Sequence, residues 1–309
     1  LVVALTCGIS GVFAQDLTSK KGEPILPEAG DWAISMSADP IFTFLGNAFN
    51  GTQNHAGPNT NFLGNQTIIG KKFIDEKNAY RLIARLGFNS INDKNLVLDD
   101  AQTGSVINFP EQQARVEDRR STKNTHIALG LGKEMRRGKT RLQGFYGADA
   151  LIWVSMMSKK YKYGNVMSET NVSSTTGGAT TTTPMSTKWD LPLDPDGTFA
   201  EAASASRPIK QKTGMTFGIG VRGFIGAEYF LLPKISVGAE YGWGVGFQLT
   251  TKGKVTTEEG GLPNAVAEIE RETAGNSRFG FDTDINNGNI FGFGNGAGGT
   301  ATLRVSFHF

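Results

Sequence analysis

The chain has 309 residues, 40 of them glycine and one cysteine, and its formal net charge at pH 7 is +2. Glycine runs at roughly twice the ordinary usage of about 7%, and the lone Cys7 excludes disulfides and a thiolate metal site. The near-cancelling charge argues against nucleic acid as a partner and against a polybasic membrane patch. After residue 15 no run of about 18 apolar residues offers a helical membrane span.

At the start, LVVALTCGISGVFAQ is an apolar run closed by Val12-Phe13-Ala14, a small-x-small pattern. It predicts a secretory signal peptide over 1–14, a periplasmic N-terminal segment over 15–30 and one barrel domain over 31–309. The missing methionine and basic start read as a trimmed precursor; the alternative is a buried N-terminal strand. Leu5-Thr6-Cys7 is a poor lipoprotein box, because Thr6 stands where glycine or alanine is wanted.

Beyond this leader the governing signal is period-two alternation, which places successive side chains on opposite faces of a strand. Trp32, Ile34, Met36 and Ala38 share the first outward face. The second segment, Gln66 to Phe73, is ambiguous, since either phase puts Lys71 or Lys72 on the apolar side. In the third, Tyr80, Leu82, Ala84, Leu86 and Phe88 oppose Arg81, Ile83 and Arg85. Ile127, Leu129 and Leu131 mark the fourth; Leu142, Tyr146, Ala148, Ala150, Ile152 and Val154 mark the fifth. Phe217, Ile219, Val221 and Ile225 mark the sixth, opposite Gly218, Gly220 and Arg222. The seventh, Ser236 to Leu249, sets Val237, Tyr241, Trp243 and Phe247 against Gly238, Glu240, Gly242 and Gly246. The last sets Leu303, Val305, Phe307 and Phe309 against Thr302, Arg304, Ser306 and His308.

Short connections at Asp75 to Asn78, Glu134 to Lys139 and Leu232 to Lys234 alternate with long polar ones at about 39–65, 90–124, 158–214 and 251–290. That rhythm predicts an all-β, transmembrane, antiparallel up-and-down barrel of eight strands, with short periplasmic turns and long extracellular loops. Ten strands is the alternative, with Phe42 to Phe49 and Asn289 to Phe293 as strand extensions.

The final residues resemble the C-terminal β-signal read by the bacterial barrel-assembly machinery, with Leu303, Val305, Phe307 and Phe309 in its apolar row. GFIGAEYFLLPKISVGAEYGWGVGF (Gly223 to Phe247), RRGKTRLQGFYGADA (Arg136 to Ala150), KKFIDEKNAYRLIARLGF (Lys71 to Phe88) and GDWAISMSADPIFTFLGNAF (Gly30 to Phe49) resemble hairpins of OmpA/OmpX-type small barrels among uncharacterised Bacteroidetes outer-membrane proteins. This resemblance covers strands and not long loops; it implies a Gram-negative outer-membrane location but no activity. It reaches no peptidoglycan-binding domain.

A barrel of eight strands has an interior just wide enough to be filled by side chains. Its inward set holds Arg81, Arg85, Asp149, Arg222, Glu240 and Arg304, with Glu228 as a further member. These form either a charged path for solutes or a buried ion-pair network; unpaired charge is costly and bulky Phe145, Trp153 and Phe224 obstruct a path, which favours the network. Outward Trp32, Tyr80, Tyr146, Tyr229, Tyr241 and Trp243 are candidates for aromatic girdles, the alternative being a partner-protein interface.

Of His55, His126 and His308, only His126, inward at the extracellular mouth, would suit a rim-site base, and no spacing ties it to a nucleophile. Asp282-Thr283-Asp284-Ile285-Asn286-Asn287-Gly288 begins like a calcium loop, but Asn287 and Phe293 stand where Gly and Glu are wanted, so loop Ca²⁺ is a weak alternative to no cofactor. Asp194-Pro195-Asp196-Gly197 reads as a turn, and threonine-rich Ser173 to Thr183 as a mobile loop tip. Glu111 to Arg120 and Phe279 to Gly298 are candidate loop contacts. The expectation is a non-enzymatic outer-membrane barrel acting through its loops, as an accessory subunit of an outer-membrane complex; the alternatives are a small channel and a rim-site enzyme. Its partners would be outer-membrane lipid and, during insertion, the assembly machinery.

Overall fold

The computed structural model describes residues 17–19, 22–37, 67–99, 101, 114–167, 171–172, 183–184, 205–261, 265–282 and 301–309. Strands β1 (Trp32–Ser37), β2 (Ile68–Asp75), β3 (Asn78–Leu98), β4 (Arg115–Arg137) and β5 (Leu142–Lys162) run first. Then come the minor strands β6 (Asn171–Val172) and β7 (Thr183–Pro184), followed by β8 (Ala205–Lys212), β9 (Thr216–Leu232) and β10 (Ile235–Thr250). Last are β11 (Gly253–Gly261), β12 (Ala265–Thr273), β13 (Asn276–Asp282) and β14 (Ala301–His308).

Eight of these strands close a ring, β1-β2-β3-β4-β5-β9-β10-β14-β1, and every pairing is antiparallel. The ten-strand alternative is not formed by the described residues; Phe42 to Phe49 and Asn289 to Phe293 lie outside them. The closing ladder runs from Ser37 opposite Arg304 to Ala33 opposite His308 and ends in a pair of backbone bonds: Trp32 N–H donates to the Phe309 carbonyl and Phe309 N–H to that of Trp32, each at 2.9 Å. A closed ring removes the open edges that an apolar-faced sheet would otherwise present.

Burial follows sequence parity. Outside, Leu131 is 68% exposed, Ile219 61% and Leu82 56%, whereas Arg81, Asp149 and Glu240 are at most 2% exposed inside. Apolar residues out and charged residues in is the arrangement of a barrel solvated by lipid. In β2 the phase resolves with Lys71 inward and buried; Lys72 faces out, its Nζ 4.9 Å from the Trp32 ring centroid.

Three tight turns share one end. Asp75 Oδ1 accepts from the Lys77 N–H at 2.7 Å, a side-chain-capped turn into β3. The β4–β5 turn is displaced from the expected Glu134 to Lys139: β4 continues to Arg137, and the chain reverses at residues 138–141 around Gly138 at φ +126°. At Pro233-Lys234 the lysine takes φ 68°, the left-handed conformation that follows proline in a type II turn.

The expected long loops are corrected more substantially. β3, β4 and β5 have 21, 23 and 21 residues, about twice what a tilted strand needs to cross hydrocarbon. Much of 90–124 and the start of 158–214 is therefore strand, and Arg115 to Arg120, expected in a loop, pair with the far half of β3. β8, β11 and β12 widen the sheet beside β5. β13 and β14 share one position beside β10, on Gly244 to Thr250 and Ile235 to Tyr241 respectively. Gly242 and Trp243 alone separate those two stretches of β10, yet residues 283–300 separate the two strands.

Inward glycines stand against inward bulk. A Cβ on Gly218 would fall within the Trp153 indole, one on Gly226 within the Phe145 ring, and one on Gly147 would come 2.6 Å from Phe224. Overpacking a filled core costs about 1–3 kcal/mol. Gly218→Val should lower the temperature at which the folded band on an unboiled gel disappears, and Trp153→Val in the same chain should recover part of the loss. An unchanged transition for Gly218→Val would show that the lumen is not filled at this level.

Candidate functional site

The lumen is layered. Near the short turns Ala33, Phe73 and Ala79 form an apolar floor, and further along Ile69, Ile83, Ala128, Leu151 and Trp153 form an apolar layer. Between them lies buried charge in two connected tiers.

In the lower tier Lys71 Nζ lies 3.0 Å from Glu134, while Arg136 reaches Glu134 at 2.9 Å and Glu228 at 2.6 Å. Arg136 Nε donates to Gln143 Oε1 at 2.8 Å, and the Ser236 hydroxyl donates to Glu228 at 2.5 Å. His308 Nε2 sits 3.0 Å from the same hydroxyl, its ring between Phe73 and Phe230. In the upper tier Arg81 bridges Glu134 at 3.3 Å, Asp149 at 3.4 Å and Glu240 at 3.0 Å. Arg222 reaches Asp149 at 3.2 Å and Glu240 at 2.6 Å; Arg304 reaches Glu240 at 3.2 Å. The Phe224 ring centroid is 3.7 Å from the Arg81 guanidinium carbon, so an aromatic face backs that cation.

The structure thus brings together Arg81, Asp149, Arg222, Glu240 and Arg304. Arg85 is also buried, four positions along β3 from Arg81 and toward the far end, on the same face as His126. Sequence reasoning missed Lys71, Glu134 and Arg136. The first was hidden by the phase ambiguity of β2, the other two by assigning their stretch to a turn. An even-numbered inward phase from Ala128 through Gly130 and Gly132 would have carried both into the lumen.

Leu303, Val305, Phe307 and Phe309 lie on the outer side of the closing strand, with Phe307 opposite Ile34 and Val305 opposite Met36. The aromatic candidates do not share one level. Trp32, Tyr80 and Tyr229 sit beside the short turns, whereas Tyr146, Tyr241 and Trp243 lie further along their strands. His126 faces inward and its Nε2 is buried without a hydrogen-bond partner among the described residues. His55, the predicted calcium loop beyond Asp282, the 194–197 turn and the signal-peptide cleavage site fall outside the described residues.

Beyond the membrane-crossing length the strands hold a second, ordered region. The Asp118 carboxylate accepts from the Gly164 N–H at 2.8 Å, and Arg207 pairs with Glu258 at 2.6 Å. The Arg207 guanidinium also lies 4.3 Å from the Tyr163 ring centroid and donates to the Asn165 carbonyl at 2.8 Å. At the surface of β11 and β12, a 2.6 Å hydrogen bond from Lys254 lowers the Glu270 pKa and raises that of Lys254.

Glu240 has the most to lose. Removing one member of a buried ion pair costs about 3–5 kcal/mol because its partners stay charged and desolvated, and Glu240 serves three arginines. Glu240→Gln should lower the unfolding free energy of the detergent-solubilised barrel by that amount, read as a lower urea midpoint by tryptophan fluorescence. Exposed Glu270→Gln should leave the midpoint in place. Equal midpoints for both variants would rule out a stabilising lumen network.

No family model matches the chain, and no curated protein matches it. Among solved structures it is similar to the crystal structure of the outer membrane protein OprG from Pseudomonas aeruginosa, with 8% identity over 92% of this chain and 98% of that one, and a TM-score of 0.26. That likeness carries no argument of its own; the all-β, antiparallel, up-and-down barrel rests on the hydrogen-bonded ring and the apolar exterior.

Proposed function

We propose that this protein is a non-enzymatic integral outer-membrane barrel, closed to solutes, whose strand extensions hold an interaction platform outside the cell. The observation that carries this reading is the buried charge network spanning the lumen. Five cations, Lys71, Arg81, Arg136, Arg222 and Arg304, interlock with four carboxylates, Glu134, Asp149, Glu228 and Glu240. An ion crossing this network would have to displace paired charges within the barrel wall, which is costly in a low-dielectric surrounding.

The apolar exterior supports an outer-membrane setting, with outer-membrane lipid as the constant partner and the assembly machinery as the partner during insertion. The extension supports the interaction role, because rigid strands carry exposed surface well beyond the hydrocarbon. β12 and β13 end the sheet among the described residues, and such an edge suits addition of a strand from another subunit of an outer-membrane complex. A channel is the competing reading. A rim-site enzyme is disfavoured by His126, whose buried Nε2 contacts no nucleophile or carboxylate among the described residues.

Planar-bilayer recording decides between platform and channel. The purified barrel should give no sustained current steps of open-pore size, whereas regular steps from the wild-type chain would overturn the closed-barrel reading.

A further inference from the structure

The outward face of the strand extensions is strongly basic in a way the net charge conceals. On β3, β4 and β5, Lys94 stands directly opposite Arg119, and Arg119 opposite Lys162. One row nearer the membrane Lys160 stands opposite Lys210, and one row nearer still Lys212 stands opposite Lys254. Lys123 joins that last row, with Ser158 between it and Lys212. All of these side chains are exposed.

Like charges facing each other across a sheet destabilise it, and the carboxylates here serve only the margins. Glu117 pairs with Arg119 and Lys94, and Glu270 pairs with Lys254. Between those margins Lys123, Lys160, Lys162, Lys210 and Lys212 form no ion pair among the described residues. Three strands thus hold five ammonium groups in neighbouring positions, of which, among the described residues, Lys210 alone feels a nearby carboxylate, that of Glu270, with rows about 7 Å apart along the strand. That pattern suits several anionic groups at once.

The height of the patch identifies the occupant. On β4 the outward apolar row ends at Ile127, and Lys123 lies 4 residues further. At about 3.3 Å per residue and a tilt of about 40°, this is roughly 10 Å above the last apolar side chain. The polar layer of a bilayer is about 5–8 Å deep on each side, and lysine stems bend toward it. The Lys123 and Lys212 row therefore reaches the outer edge of the headgroup layer and the Lys160 and Lys210 row lies about 5 Å above it, on the side of the membrane opposite the short turns.

We propose that this face binds the phosphate groups of the phosphorylated glycolipid that surrounds the barrel in the outer leaflet, with Lys123, Lys160, Lys210 and Lys212 as its core. The inference rests on the membrane-spanning reading above and adds a lipid partner to it. Phosphates seated between Lys160 and Lys210, and beside Lys212, relieve the cross-strand repulsion and fix a shell of lipid around one side of the barrel.

The test uses the full chain in neutral phospholipid nanodiscs doped with bisphosphorylated lipid A or with its dephosphorylated form. Retained lipid is counted by native mass spectrometry. Wild type should retain the bisphosphorylated form at least about tenfold better, an advantage that high salt weakens. The variant K123Q/K160Q/K210Q/K212Q should lose the preference while keeping its folded band on an unboiled gel. Equal retention by wild type and variant, or of both lipid forms by wild type, overturns the proposal. So does full competition by a phosphate-free acidic polysaccharide, which would make the face a general polyanion site. A chain that fails to insert into the bilayer sinks the membrane-spanning reading itself, and this inference falls with it.

Discussion

The structure depends on neutralising charge inside a closed strand ring. A barrel of eight strands leaves an interior of side-chain width, and this one fills it with guanidinium, ammonium and carboxylate groups. Isolated, each would cost several kcal/mol to bury. Interlocked, they become cross-braces between strands distant in sequence. Arg81 on β3 meets Asp149 on β5 and Glu240 on β10, and Arg136 on β4 meets Glu228 on β9. The hydrogen-bonded ladders join only neighbouring strands, whereas these contacts span the lumen. Between the apolar floor and the apolar layer, the polar cross-braces resist distortion across the width of the barrel.

The inward glycines belong to the same constraint. Gly132 faces Asp149 so closely that a Cβ there would collide with the carboxylate, and Gly147 and Gly226 make room for Phe224 and Phe145. Phe224 in turn backs Arg81. The high glycine content is therefore a packing requirement at particular registers. It compensates for residues too large for a narrow cylinder, and it couples the aromatic and the charged parts of the filling.

The ring was legible in the sequence where its two faces differ chemically. Tyr80, Leu82 and Leu86 against Arg81 and Arg85 allow one phase only, and the same holds for Tyr241 and Trp243 against Glu240. Legibility failed where both phases carry a lysine, as at Lys71 and Lys72, and where charge approaches a turn, as at Glu134 and Arg136. It failed most widely beyond the membrane. There the covered face of the extension is itself polar, with Asp118 and Arg207 buried in it, so alternation loses its chemical contrast and strand becomes indistinguishable from loop. Only the register recovers those stretches, by setting Asn92 against Ser121 and Lys94 against Arg119.

Register also decides how charge is distributed, and here the bulk composition misleads. A net charge of +2 suggests a chain with no strong electrostatic preference. Period-two geometry divides that total between two faces: a lumen where five cations interlock with four carboxylates, and an outer face where lysines of β4, β5 and β8 converge. Lys160 and Lys210 are fifty residues apart in sequence and opposite each other in the sheet. Charge inside is screened by partners placed by the fold; charge outside must be screened by whatever the membrane surface supplies. The same alternation that makes the barrel insoluble in water therefore prepares its rim for the anionic layer that begins where the apolar belt ends.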